Sequence, residues 1–437
     1  MIRKYTERVR LIGLGVLFGV SMMASNLALA QQGEYSELFE TLKPGLFIVE
    51  SVERISNNKH SVGSGFAVVG DGLMATNYHV VADAVLNPDQ YALRFKTKDG
   101  VEGPLELVVV DVLYDLAIVR AHDAAGQAAR LPYYFSLAEQ LPVAGDPVLA
   151  LGNPLDLGLS IVPGTHNGLL KRQFRQNFHF TGALNPGMSG GPAVNLDGDV
   201  IGVNVAGAGN SVSFLVPVER VAALIRQISN APDSLQAQRV QIVESIRAHQ
   251  DELIDDLLAG DWTLEEFGPL MIPREIQPYV NCTGNALDLG SDTPWQQSTS
   301  NCVLNDRIYL SRQLDTGPIE MFFGWYHSNE LNGFQFARMF EQNQFFPFNR
   351  TGDDDVTDFE CVEQWLDVAR LESVPFKSSY CVRTYLDYPG LYDVLFVARG
   401  QPEDTQGLQA HYTLAGVGQA AAGRFHQRFL DAVAWKE

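Results

Sequence analysis

Cysteine is absent from the first 281 residues, and its four occurrences, Cys282, Cys302, Cys361 and Cys381, all fall in the second half. No close cysteine pair and no neighbouring histidine cluster accompanies them, which speaks against a metal centre; no metal and no cofactor are expected. Positive charge is also scarce. Thirty-one Lys and Arg face 52 Asp and Glu, for a net charge of -21. Such a chain repels phosphate backbones, so nucleic acid is excluded as a partner. After residue 30 no apolar run reaches transmembrane length, so stable membrane insertion is not expected.

The 437 residues are 46% hydrophobic, enough for on the order of two or three cored domains. The amino terminus carries Arg3, Lys4, Arg8 and Arg10, an apolar run from Leu11 to Ala24, then Ala28-Leu29-Ala30. This is the pattern of a secretory signal over 1–30, cut after Ala30. The cysteines fit an oxidising compartment, periplasmic or secreted. Four cysteines allow three pairings; the equal separations Cys282–Cys302 and Cys361–Cys381 favour two local bridges.

The most informative stretch is Thr181-Gly182-Ala183-Leu184-Asn185-Pro186-Gly187-Met188-Ser189-Gly190-Gly191-Pro192. Its glycines permit a tight turn that leaves the Ser189 hydroxyl exposed. The amides of Gly187 and Ser189, aimed together, would make an oxyanion hole. By itself the run also reads as a plain glycine-rich hairpin. A serine needs a base and an orienting acid to act as a nucleophile. Gly63 to Val69, an Asp71-Gly72 turn and Leu73 to Val81 read as two strands, with His79 where the second stops. Val108 to Val119 places Asp115 against an apolar strand, where a carboxylate needs a partner.

Thr76-Asn77-x-His79-Val80-Val81, Asp115-Leu116-Ala117 and Asn185-Pro186-Gly187-x-Ser189-Gly190-Gly191-Pro192 resemble the HtrA (DegP-like) branch of the trypsin-like serine proteases, over residues 35 to 230. The resemblance implies a double six-stranded β-barrel with His79 as general base, Asp115 its orienting carboxylate and Ser189 the nucleophile. Asp111 is the rival acid; the family's acid directly precedes Leu-Ala, which selects Asp115. The family's substrate would pair with Val205, Ala206 and Gly207, and Ala183 would floor the primary pocket, giving a preference for small or medium apolar side chains. Met188 departs from the family, which usually has Asn there.

The implied function is an exported endopeptidase that cleaves proteins or peptides through an acyl-enzyme, in quality control or regulated proteolysis. The alternative is a protease-fold binding or chaperone module with little turnover.

No peptide-binding PDZ domain is evident after residue 230. Residues 231–275 read as a helical linker, with Val240, Val243, Ile246, Leu253, Ile254 and Leu257 as the apolar side of its helix. Residues 276–350 and 351–437 read as two copies of an α+β unit: a cysteine-stapled loop, two or three strands and a helix. This half is the candidate seat of a regulatory protein or peptide. Of 52 acids, 31 follow residue 230, against 14 of the 31 basic residues. Asp353-Asp354-Asp355 with Asp358 reads as a solvated linker rather than a calcium loop. His166 is a candidate lining of the substrate channel. Phe322, Phe323, Trp325, Tyr326 and 345–348 read mainly as core.

Overall fold

The computed structural model describes residues 33, 35–209, 211–287, 293–341, 349–366 and 376–435. The expected signal at 1–30 and the aromatic run at 345–348 lie outside them. Among the described residues no helix is long and apolar enough to cross a membrane.

A short helix, α1 (35–42), leads into the first barrel. Its strands are β1 (Leu46–Glu53), β2 (Lys59–Val69), β3 (Leu73–Thr76), β4 (Tyr91–Lys96), β5 (Glu102–Asp111) and β6 (Leu116–Ala121). They close antiparallel in the order β1-β2-β3-β6-β5-β4. Helix α2 (Tyr78–Leu86) follows β3. The second barrel comprises β7 (Pro147–Gly152), β8 (Ser160–Leu169), β9 (Phe178–Phe180), β10 (Pro192–Val194), β11 (Val200–Gly209) and β12 (Val212–Pro217), closed as β10-β11-β12-β9-β8-β7. Closure removes the free edges that short strands would otherwise expose.

The barrels share a core. Phe66 and Ile118 from the first meet Leu149, Leu151 and Val203 from the second, and α3 (Val218–Arg226) seals the seam with Val221 and Leu224. Each such buried side chain contributes about 1.5–3 kcal/mol. The site residues ride on this rigid seam.

The segment 231–275 is more than a linker. Its helix α4 (Leu235–Leu258) is capped by the Ser234 hydroxyl, which accepts from the Ala237 amide at 3.2 Å. Ile242, Val243 and Ile246 pack on the first barrel, while Leu253, Ile254 and Leu257 enter the core of the second half. Val240, read from the sequence as apolar-side, is exposed; Ile242 takes the buried place. At about 100° per residue the buried positions keep to one face along the whole helix, with Ile242 inside it and Val240 at its rim.

After the hairpin β13 (Leu264–Phe267) and β14 (Leu270–Pro273) come β15 (Asn281–Leu287), β16 (Gln296–Leu304), the short pair β17 (Ile308–Tyr309) and β18 (Asp315–Thr316), β19 (Ile319–His327) and helix α5 (Gly333–Glu341). β20 (Glu360–Leu366), β21 (Phe376–Thr384), β22 (Tyr392–Glu403), β23 (Gln406–Val417), α6 (Gln419–Asp431) and β24 (Ala434–Trp435) follow. The units expected at 276–350 and 351–437 are joined in one seven-stranded antiparallel sheet, β15-β16-β19-β23-β22-β21-β20. β19 pairs β23 from Ile319 with Leu414 to His327 with Gln406, so the two share one core. Phe323, Phe396 and Tyr412 lie under Phe425 and Phe429 of α6. The bridges are Cys282–Cys302 and Cys361–Cys381, the local pairing, each joining directly opposed residues of an outermost hairpin.

Candidate active site

His79 sits in the first turn of α2, and its imidazole Nδ1 lies 2.5 Å from Asp115 Oδ2. The second carboxylate oxygen, Oδ1, accepts the His79 backbone N–H at 2.8 Å. An ionised carboxylate only accepts, so Nδ1 carries the proton and Nε2 keeps its lone pair. Asp115 is held in turn: its carbonyl accepts from Asn77 Nδ2 at 2.7 Å and from the Tyr78 amide at 3.1 Å. Its φ of 52° lies in the left-handed region, where a side chain costs of order 1 kcal/mol and Asp is among the better tolerated. Burial pulls the His79 pKa down, but the charge and hydrogen bond of Asp115 outweigh it, and the net shift is upward. Asp111 lies away from the imidazole, its Oδ1 accepting the amides of Leu113 and Tyr114 at 3.0 and 3.2 Å.

Ser189 stands against the first barrel. Its carbonyl accepts the Ser64 amide at 2.8 Å. Gly190, at φ 84°, passes so close to Thr76 and Asn77 that a Cβ there would lie 2.4 Å from Thr76 Oγ1 and 2.8 Å from the Asn77 amide nitrogen. The Ser189 hydroxyl donates to the Val205 carbonyl at 3.3 Å, and the structure has no hydrogen bond between Ser189 and His79.

The loop before it is fixed at both peptides. Gly187 has φ 94°, and an added Cβ would stand 2.3 Å from the Asn153 carbonyl oxygen. The Pro186 carbonyl accepts the Leu155 amide at 2.7 Å, so in a trans peptide the Gly187 N–H faces the opposite way. Among the described residues the amides of Gly187 and Ser189 have no internal acceptor, whereas those of Met188, Gly190 and Gly191 each have one. Both residues are partly exposed, with one residue between them, so their amides are open to an acceptor from outside the loop. Met188, the departure from the family, is fully buried against Val148, Phe178, Phe180 and Leu215. It anchors the loop by packing where a polar side chain would need hydrogen bonds.

Ser64 was invisible as a site residue in the sequence. Its Oγ donates to the Gly187 carbonyl at 2.7 Å and accepts the Asn153 amide at 2.9 Å. The Gly-Ser-Gly setting in a strand, facing the serine loop, was the available signal.

Val205, Ala206 and Gly207 lie on β11. The Leu184 carbonyl approaches Gly207, and exposed Ala183 is its neighbour. His166 is buried edge-on to Phe178, ring centroids 4.6 Å apart, rather than lining a channel; its strand alternates it into the barrel. His60 and His122 pair with Asp83 and Glu106 at 2.8 and 2.9 Å. Asp355 accepts the amide of Gly352 at 3.0 Å, closing its own turn. Phe323 and Tyr326 are buried, and Phe322 stacks on His411. Tyr309, from the second half, stands beside His79, a neighbour no motif announced.

Residues 63–203 match the trypsin-like peptidase domain family. A probable periplasmic serine endoprotease, DegP-like, from Chlamydia trachomatis is 33% identical over 38% of this chain and 33% of its own length. One from Halomonas elongata is 35% identical over 40% of this chain and 36% of its own. The solved serine endoprotease from Yersinia pestis aligns at 24% identity and a TM-score of 0.38, over 45% of this chain and 66% of that one. This chain thus spans about a third of the length of those two curated relatives. Residues 63–203, which run through both closed barrels, thus match a trypsin-like peptidase domain, and over part of its length the chain is similar to DegP-like serine endoproteases.

Proposed function

We propose that the protein is an exported serine endopeptidase, periplasmic or secreted, that cleaves protein substrates through an acyl-enzyme. The observation that carries this is the two-point hold of Asp115 on His79, which leaves Nε2 unprotonated two residues on from Asn77, against which Gly190 packs. Ser189 Oγ attacks the scissile carbonyl carbon and its proton passes to His79 Nε2. The amides of Gly187 and Ser189 receive the oxyanion. The C–N bond then breaks, the amine takes the proton from His79, and water repeats the sequence on the ester.

The Val205 carbonyl would have two roles in sequence. At rest it holds the Ser189 hydroxyl. A substrate backbone N–H pairing with β11 would take its place, and the freed hydroxyl would turn to the imidazole. Quality control or regulated proteolysis is the setting that fits, with the sheet of the second half as the seat of any regulatory partner.

A fluorophosphonate probe tests the assignment on the full chain. Labelling should map to Ser189, vanish in Ser189→Ala and fall sharply in His79→Ala; an unlabelled wild-type chain that also leaves casein intact would overturn it.

Ser64→Ala should leave both the Gly187 carbonyl and the Asn153 amide without their hydroxyl partner, at about 1–3 kcal/mol. Because these groups shape the oxyanion loop rather than the substrate strand, kcat should fall roughly tenfold or more with KM little changed. Steady-state kinetics on one peptide substrate checks the split.

A further inference from the structure

The segment from Asp306 to Thr316 belongs to the second half but lies on the first barrel. Ile308, Leu310 and Leu314 are buried in the same cluster as Tyr78, Val80 and Val81 of α2. The Tyr78 hydroxyl donates to the Leu310 carbonyl at 3.2 Å. Arg312 donates from Nη2 to the His60 carbonyl at 3.0 Å, and its Nε lies 3.1 Å from Asp83 Oδ2. Asp83 is one helical turn beyond His79, so these anchors bear on the face of α2 that carries the imidazole.

Between the anchors stands Tyr309. Its ring meets His79 edge-to-face at 6.0 Å between centroids and Tyr78 likewise at 6.3 Å. The phenol is half-buried and has no hydrogen-bond partner among the described residues. Burial and then the charge of Asp83 push its pKa up to about 12, so it stays a donor at any physiological pH. The surrounding hairpin is tied down at both ends, yet this one side chain sets its ring beside the partly open imidazole.

We infer that Tyr309 is a specificity-determining residue of the catalytic cleft, contributed by the second half of the chain: its ring is the wall, on the first-barrel side of His79, against which a small or medium apolar substrate side chain flanking the cleaved residue packs. This rests on the protease reading above. The wall limits size by contact, so it discriminates by side-chain volume. Packing differences of one or a few methylenes amount to about 10- to 200-fold in kcat/KM. On this view the two halves form one catalytic unit.

The test uses the full chain and a peptide library varied at the two positions flanking the cleaved residue, read by mass spectrometry. Tyr309→Ala should lower kcat/KM about tenfold for Val- or Pro-bearing peptides at one of those positions, and raise Phe- and Trp-bearing peptides relative to them. Tyr309→Phe, which keeps the wall, should retain the wild-type size preference. Tyr309→Trp, which crowds the site, should narrow it, and supplies the reading should the alanine variant fold poorly. Fluorophosphonate labelling of Ser189 is run on every variant. Normal labelling with superimposable profiles, or a uniform fall for all peptides in every variant, would sink the assignment of Tyr309 while leaving the protease intact. Absence of labelling in the wild type would instead remove the protease reading itself.

Discussion

Asp115→Asn should lower kcat by about 10^4 while leaving KM within a few-fold, the size of effect that the same change has in a trypsin-like triad. The direction of the asparagine is dictated by the backbone. Asp115 Oδ1 accepts the His79 N–H, so the amide oxygen of Asn must stay there. The amide nitrogen then faces Nδ1 and donates to it. The imidazole proton is driven to Nε2, and the base loses the lone pair that would take the Ser189 proton. The change is nearly isosteric, so the fold should be untouched and circular dichroism unchanged.

The pH profile supplies a second signature of the same variant. In the proposed mechanism neutral imidazole is the active form, and in the wild type its pKa is raised above 6.5. Activity should therefore rise with pH through a midpoint above 6.5 and be lost as pH falls below it. In Asp115→Asn the raising causes, carboxylate charge and hydrogen bond, are gone, while burial still disfavours the cation. The acid limb of the residual activity should move to lower pH. A profile that kept its midpoint, with kcat down less than tenfold, would show that Asp115 does not serve His79 in turnover.

Local chemistry decided what could be read from the chain itself. The turn glycines, His79 at a helix start, and the pairing of cysteines at equal separation all express short-range rules, and the barrels carry two of the three motifs on adjacent hairpins. The second half resisted for a physical reason. Its unity depends on β19 meeting β23, strands about eighty residues apart whose pairing is enforced by a shared core rather than a turn. Alternation along each strand identifies a face but not the neighbour it will find. The same limit hid Tyr309 and Ser64. Each acts through a contact with a distant loop, and neither sits in a spacing that chemistry alone would require. Val240 failed in the opposite way: it is apolar and close to the helical period, but it lies at the rim of the stripe, ahead of the first-barrel contacts at Ile242, Val243 and Ile246.

Arg175→Met should destabilise the chain by about 3–5 kcal/mol, because it strands a buried carboxylate. Arg175 comes from the turn between β8 and β9 of the second barrel; its Nε lies 2.7 Å from Asp306 Oδ1, and its Nη2 also donates to the Arg307 carbonyl. His249 of α4 approaches the other oxygen at 3.3 Å, with Phe174 packed on its ring. Arg175 is 13% and Asp306 8% exposed, so solvent screening is slight. Three pieces of the fold therefore meet at one carboxylate: the second barrel, the long helix and the hairpin that carries Tyr309.

Burial pulls the Asp306 pKa up, but Arg175 and His249 together hold it below 3.8. The wild-type pair thus contributes stability that is present above pH 3.8 and lost only as pH falls through the depressed value. Without Arg175 the burial effect gains weight and the folded-state pKa rises. Protonation then relieves the variant as pH drops, so its deficit should shrink between pH 8 and pH 5. Thermal unfolding should register a loss of roughly 10 °C at pH 8, smaller at pH 5, and Arg175→Met combined with Asp306→Asn should recover much of it. Equal deficits at both pH values, with no recovery in the double variant, would mean that the guanidinium acts there only by filling space.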